Sequence, residues 1–185
     1  MKFLLLFITQ FILVQTFAQD KKITDSAYLN QLLNSTSKNV GKTYKNFDKK
    51  SLTGKRYFKK ELAGKVILIN CWFEACSPCV AEFDALNHLY KRYKTNKKFQ
   101  FVSFTTDSPA EAKIVAQKYN LQFPIICVSE NECYRLNYKS GFPTSIIIDT
   151  TYKIASIKMG GSIDKQIIAD DIKSIEFEID KLLSK

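Results

Sequence analysis

The sequence predicts an α/β domain with a mixed central sheet flanked by helices. Strand-like and helix-like segments alternate up to residue 128, the pattern of an α/β domain. Residues 66–73 are apolar apart from Asn70, as in a strand covered on both faces. Residues 145–149 and 153–159 look like an antiparallel pair joined by Thr150-Thr151-Tyr152, so the sheet is mixed.

In chain order, residues 43–48 and 55–59 read as a hairpin around Ser51-Leu52-Thr53-Gly54. The buried strand 66–73 follows Gly64-Lys65. After Pro78 the period changes, with Val80, Phe83, Leu86, Tyr90 and Tyr93 recurring at helical spacing. Residues 99–104 form the next strand. Ser108-Pro109-Ala110-Glu111 is a helix start: a Ser cap, Pro in the first turn, Glu three residues after the cap. That helix runs to about Tyr119. A strand at 124–128 and a short helix at 131–137 come next. Gly160-Gly161 breaks the chain after the last strand. Ile168, Ile172, Ile175, Ile179 and Leu182 then make the apolar stripe of a closing helix.

The N-terminus carries a different signal. Met1-Lys2 is a short positive start, residues 3–14 are apolar except Thr9 and Gln10, and Gln15-Thr16-Phe17-Ala18 has small residues at the two positions a signal peptidase reads. This is the layout of a secretory signal peptide cleaved after Ala18, with an apolar core too short to span a bilayer. The expectation is a signal peptide at 1–18, a leader or linker at 19–40 with one weak helical stretch at 27–33, and a domain at 41–185. An exported, periplasmic location follows. The formal charge is +10, and +9 once Lys2 leaves with the signal. All but three of the 28 basic residues are lysines, the arginines being Arg56, Arg92 and Arg135. Specific nucleic-acid readers lean on Arg for bidentate contacts. The densest run, 91–98, falls where a helix ends, which suits cations. The charge reads as a solvated surface, with no nucleic-acid partner.

All five cysteines lie beyond the signal, in a compartment where disulfides persist. Three crowd into 71–79, and Cys76 and Cys79 frame Ser77-Pro78 at the junction of the buried strand and the following helix. A helix N-terminus exposes unpaired N–H groups and a partial positive charge; both favour thiolate over thiol. Cys76 sits at the first turn and Cys79 about one turn on, so the sulfurs can meet, one attackable and one recessed. A zinc site would need about four ligands. The only histidine, His88, lies half a turn away on the helix, and Cys127 and Cys133 are six apart. No metal is expected. A loop this short stabilises little as a structural staple. A reactive pair is what remains. Cys71 ends a strand and reads as a small apolar filler; a Cys127–Cys133 bridge is within reach.

Trp72-Phe73-Glu74-Ala75-Cys76-Ser77-Pro78-Cys79 after an apolar strand resembles the W-x-x-x-C-x-x-C site of the thioredoxin superfamily. Gly141-Phe142-Pro143-Thr144, before a later strand, is similar to that fold's cis-proline loop. Gly41-Lys42, the hairpin, Leu62-Ala63-Gly64-Lys65 and the helix at 109–119 resemble the TlpA/ResA-type exported thioredoxins, over roughly residues 41–183. The resemblance implies a thioredoxin fold with an N-terminal hairpin and an inserted helix–strand element. It implies that Cys76 attacks a disulfide of a client protein, that Cys79 resolves the mixed disulfide, and that Pro143 is cis opposite Cys76. Trp72, Phe73 and Phe142 would form an apolar rim, and with Thr144 they complete the substrate-binding set. Where thioredoxins carry a buried Asp, this chain has Asn70, which cannot take a proton. Glu82, three residues after Cys79, is the substitute and would relay the proton of Cys79.

These expectations describe a thiol–disulfide oxidoreductase that reduces client proteins and needs no cofactor. It would act as a monomer and be recharged by a membrane thiol reductase. The alternatives are a peroxiredoxin-like peroxidase, which would want Thr where Phe73 stands, a copper chaperone, which would want C-x-x-x-C, and a non-catalytic binding protein.

Overall fold

The computed structural model describes residues 37–185. The expected signal peptide, its cleavage after Ala18 and the helical stretch at 27–33 lie outside the described residues. Asn39–Lys185 form one compact unit.

Five strands form the central sheet in the order β5-β4-β3-β6-β7. They are β3 (Val66–Trp72), β4 (Phe99–Thr105), β5 (Ile125–Cys127), β6 (Thr144–Ile148) and β7 (Ile154–Met159). The first three are parallel; β6 runs antiparallel to β3, and β7 antiparallel to β6. A separate hairpin, β1 (Asp48–Lys50) with β2 (Arg56–Phe58), precedes them. The helices are α1 (Lys59–Leu62), α2 (Ser77–Tyr93), α3 (Pro109–Lys118), α4 (Glu130–Leu136) and α5 (Lys165–Leu183). The mixed α/β sheet is the one expected, with α3 and β5 as the inserted helix–strand element. Among the described residues, no helix is long and apolar enough to cross a membrane.

All seven residues of β3 are buried, because both faces of the sheet are covered. Side chains alternate along a strand, so β3 feeds two cores. Val66, Leu68 and Trp72 pack with Phe83, Leu86 and Leu89 of α2 and Ile175 and Ile179 of α5. Ile67, Ile69 and Cys71 pack with Tyr44, Phe47 and Tyr57 and with Cys133 and Leu136 of α4. Burying each of these aliphatic side chains contributes roughly 1.5–3 kcal/mol, which fixes the register of β3 and hence where its C-terminal end points. α3 starts as its sequence requires: Ser108 Oγ accepts from Glu111 N–H, and the Glu111 carboxylate accepts from Ser108 N–H.

The hairpin departs from expectation. The predicted first strand, 43–48, begins only at Asp48. Gly41 and Tyr44 donate instead to the carbonyls of Ile154 and Tyr152, and Thr43 bridges Lys153. The cause is Tyr44 and Phe47, both buried in the second core; they hold this segment to the main sheet. The second strand, expected over 55–59, covers Arg56–Phe58, and Lys59 opens the short helix Lys59–Leu62, with Leu62 fully buried.

Candidate active site

The C-terminal end of β3 delivers the chain to α2 through a tight turn in which Cys76 N–H donates to the Phe73 carbonyl at 3.1 Å. Cys76 is the N-cap of α2. Its Sγ accepts from Cys79 N–H at 3.3 Å, and Pro78 occupies the first turn, where no N–H is required. Cys76 and Cys79 are disulfide-bonded with Cα atoms 5.3 Å apart. Cys76 is 7% exposed and Cys79 1%, so the sulfur at the helix terminus is the one an incoming thiolate reaches first.

The loop before β6 is built around a cis Phe142–Pro143 peptide bond. Asn137 and Thr144 hold it, both donating side-chain hydrogen bonds to the Gly141 carbonyl, at 2.9 and 2.6 Å. The Phe142 ring stacks edge-on against Phe73, with centroids 5.1 Å apart. This contact ties the loop to the turn that carries Cys76. The apolar rim is therefore Phe73 and Phe142, both half-buried. One expected member of the rim, Trp72, is absent from it, and Thr144, expected among the substrate-binding residues, is not exposed either. Trp72 has no exposed surface and packs edge-on against Phe83 in the core, because strand alternation turns its ring toward α2. Thr144 is also fully buried and supports the loop instead of facing a client.

Glu82 lies one turn beyond Cys79 on α2 and is 6% exposed. Burial and the facing Asp171 carboxylate push its pKa up to about 7, while the Lys158 ammonium pulls it down. Lys158 of β7 is itself paired to Asp171 of α5 at 2.5 Å. Asn70, in the place of the thioredoxin Asp, donates to Ser145 Oγ at 3.2 Å. It shares the face of β3 that carries Leu68 and Trp72. Gly161 closes the arrangement: a Cβ there would stand 2.7 Å from Glu82 Oε1 and 2.7 Å from Pro143 Cγ. Gly160 N–H donates to the Pro143 carbonyl at 2.9 Å. The Gly-Gly turn thus packs the carboxyl against the cis-proline. Lys158, Asp171 and Gly161 were not legible as site residues. The Gly-Gly pair was the one signal, and it reads equally as a chain break.

The remaining cysteines are free thiols. Cys127 and Cys133 do not pair. Cys133 points into the second core, in the same buried cluster as Cys71. The Cys133 thiol and complete burial push the Cys71 thiol well up. Half-burial raises Cys127 too, with help from Asp107. His88 is exposed, 3.7 Å from Asp84 on its own helix.

Residues 40–157 match the AhpC/TSA family. The chain belongs to that family. Within it, the chain is 30% identical to the thiol-disulfide oxidoreductase ResA of Bacillus cereus over 129 residues, covering 69% of this chain and 74% of the relative. It is equally similar, at 30%, to the thioredoxin-like protein YneN of Bacillus subtilis, over 69% and 75% of the two chains. A crystal structure of a putative thiol:disulfide interchange protein DsbE from Chlorobium tepidum superposes with a TM-score of 0.68 at 24% identity, over 78% of this chain and 97% of the other. That likeness shows the thioredoxin fold. With this kinship and its own Cys76–Cys79 pair, the chain is a thioredoxin-like thiol–disulfide oxidoreductase.

Proposed function

We propose that the protein is exported and works there as a reductant of client disulfides. In each turnover the Cys76 thiolate attacks a client disulfide, forms a mixed disulfide and expels a client thiolate, which takes up a proton. Cys79 gives its proton to the Glu82 carboxylate and attacks the mixed disulfide at Cys76. The second client sulfur leaves as a thiolate and takes up the proton that Glu82 releases, and the Cys76–Cys79 disulfide remains. Two electrons and two protons have passed to the client. A membrane thiol reductase would return them.

The observation that carries the proton step is Glu82 itself: a buried carboxyl, one turn from Cys79, with a pKa of about 7. A group poised near ambient pH both accepts and returns a proton efficiently. The reducing direction is supported by charge. The Glu82 carboxyl lies one turn beyond Cys79, and the Asp171 carboxylate faces it. Carboxylates disfavour the thiolate, and a strong oxidant is one whose reduced, thiolate form is stabilised. Phe73 offers an apolar ring where a peroxidase would need a hydroxyl.

Equilibration of the Cys76–Cys79 couple in dithiothreitol and glutathione buffers tests the direction. A potential near the thioredoxin value of about −270 mV supports the reductant; one near −120 mV makes the protein an oxidant. Export is tested by N-terminal sequencing of the secreted chain, which should begin at Gln19.

A further inference from the structure

Beside the apolar rim the surface opens into a pocket of about 570 Å³ lined by Lys45, Asn131, Tyr134, Arg135, Tyr138 and Lys139. Three of these six side chains are cationic. Arg135 is satisfied: it forms a bidentate pair with Glu132 at 2.7 and 2.9 Å and donates to the Asn46 carbonyl. Lys45 and Lys139 have no carboxylate at ion-pair distance among the described residues. The Lys45 ammonium rests over the Tyr138 ring, 4.6 Å from its centroid. Burial and the Arg135 and Lys139 charges lower its pKa against a smaller upward pull from Glu132, and the lining itself holds three cations and no carboxylate.

The backbone that shapes the pocket is unusual. Tyr138 and Lys139 both adopt left-handed conformations, with φ of 60° and 59°. Non-glycine residues stay there only where the surroundings hold them. Here the Tyr138 hydroxyl accepts from Lys45 N–H, and Lys139 N–H donates to the Tyr134 carbonyl.

The pocket is also continuous with the redox pair. Tyr134 stacks against Phe142 at 5.6 Å, and Phe142 against Phe73 at 5.1 Å; the Phe73 carbonyl holds Cys76 N–H. Two ring-to-ring steps correspond to roughly three residues of extended chain.

We propose that this pocket receives an acidic segment of the client protein while the client disulfide is exchanged at Cys76. The segment's carboxylates meet Lys45 and Lys139, its apolar atoms lie on Tyr134 and Phe142, and charge selects which disulfides are presented. The proposal rests on disulfide exchange at Cys76 and adds the class of client: chains with carboxylates about three or four residues from the reactive cysteine.

The test offers the reduced full chain two cyclic disulfide peptides, identical except for a Glu-Glu or a Gln-Gln pair three residues from one cysteine. The Glu peptide should react about ten-fold faster at low ionic strength, and the advantage should shrink to about two-fold at roughly 0.3 M salt, where surface charge is screened. The double variant Lys45→Gln/Lys139→Gln should lose the preference and keep the wild-type rate toward the Gln peptide. Equal rates for the two peptides, or a preference that survives in the variant, overturns the proposal. If neither peptide reacts, the exchange reading fails instead. The pocket is then judged by fluorescence anisotropy of a labelled, cysteine-free Glu peptide. Binding that the double variant weakens upholds the pocket, and absence of binding rejects it.

Discussion

Two pairs of cysteines lie close together around β3, and their surroundings differ at every step. Cys76 and Cys79 stand past the end of the strand, where a helix N-terminus, a sulfur slightly more exposed than its partner and a titratable carboxyl coincide. Cys71 and Cys133 meet inside the second core, wholly buried, with Cys71 held as a thiol by its neighbour and by the apolar surroundings. Two sulfurs side by side are therefore not enough. Reactivity follows from a dipole that favours the thiolate, a path for the partner and a place for the proton.

The sharpest way to break this comparison is to remove one sulfur from each pair. Cys76→Ser should lower client reduction at least a thousand-fold, since no attacking sulfur remains, whereas Cys71→Ala should leave turnover within about two-fold; both are read in an insulin-reduction assay. Glu82→Gln comes next. It should slow turnover by roughly a hundred-fold and remove the inflection near pH 7 from the rate profile. The same carboxyl acts on stability. Its folded-state pKa, about 7, lies above the ordinary 4.5, so the native state binds the proton more tightly than the unfolded chain. Its contribution is favourable at low pH and is lost as pH rises through 7. Oxidised Glu82→Gln should accordingly gain on wild type above pH 7, by at most on the order of 3 kcal/mol, with the gap closing near pH 4, as measured by urea unfolding.

Gly161→Ala sharpens the comparison further. Its Cβ would press on both Glu82 Oε1 and Pro143 Cγ, so turnover should fall roughly ten-fold and the pH inflection should move. A similar change at Gly64, which has open space around it, should leave the inflection in place. The smallest effect belongs to the buried pair: Cys133→Ala should cost about 1–2 kcal/mol of stability and leave the Cys76–Cys79 potential unchanged.

The sheet was legible in the sequence because its signals are local: an apolar run for β3, a changed period after Pro78, a capping box at Ser108. The reactive pair was legible for the same reason, since C-x-x-C at a strand–helix junction is a contiguous pattern. The misread parts are non-local. Trp72 looks like a rim residue until the register of β3 turns its ring toward Phe83. Residues 43–47 look like a hairpin strand until Tyr44 and Phe47 find the second core. Cys133 was weighed against Cys127, six residues away, while its neighbour in space is Cys71, 62 positions earlier on β3. Lys158 and Asp171 reach Glu82 from β7 and α5, and no spacing along the chain announces such a meeting.

The most direct test follows every cysteine through one redox cycle. The protein is equilibrated in thiol buffers of graded potential, quenched with an alkylating agent and mapped by mass spectrometry. The account predicts a single two-electron couple in which Cys76 and Cys79 gain and lose the label together, while Cys71 and Cys133 take it only after unfolding. Label that changes with potential at Cys71 and Cys133, or a Cys76–Cys79 pair that does not cycle, would contradict it.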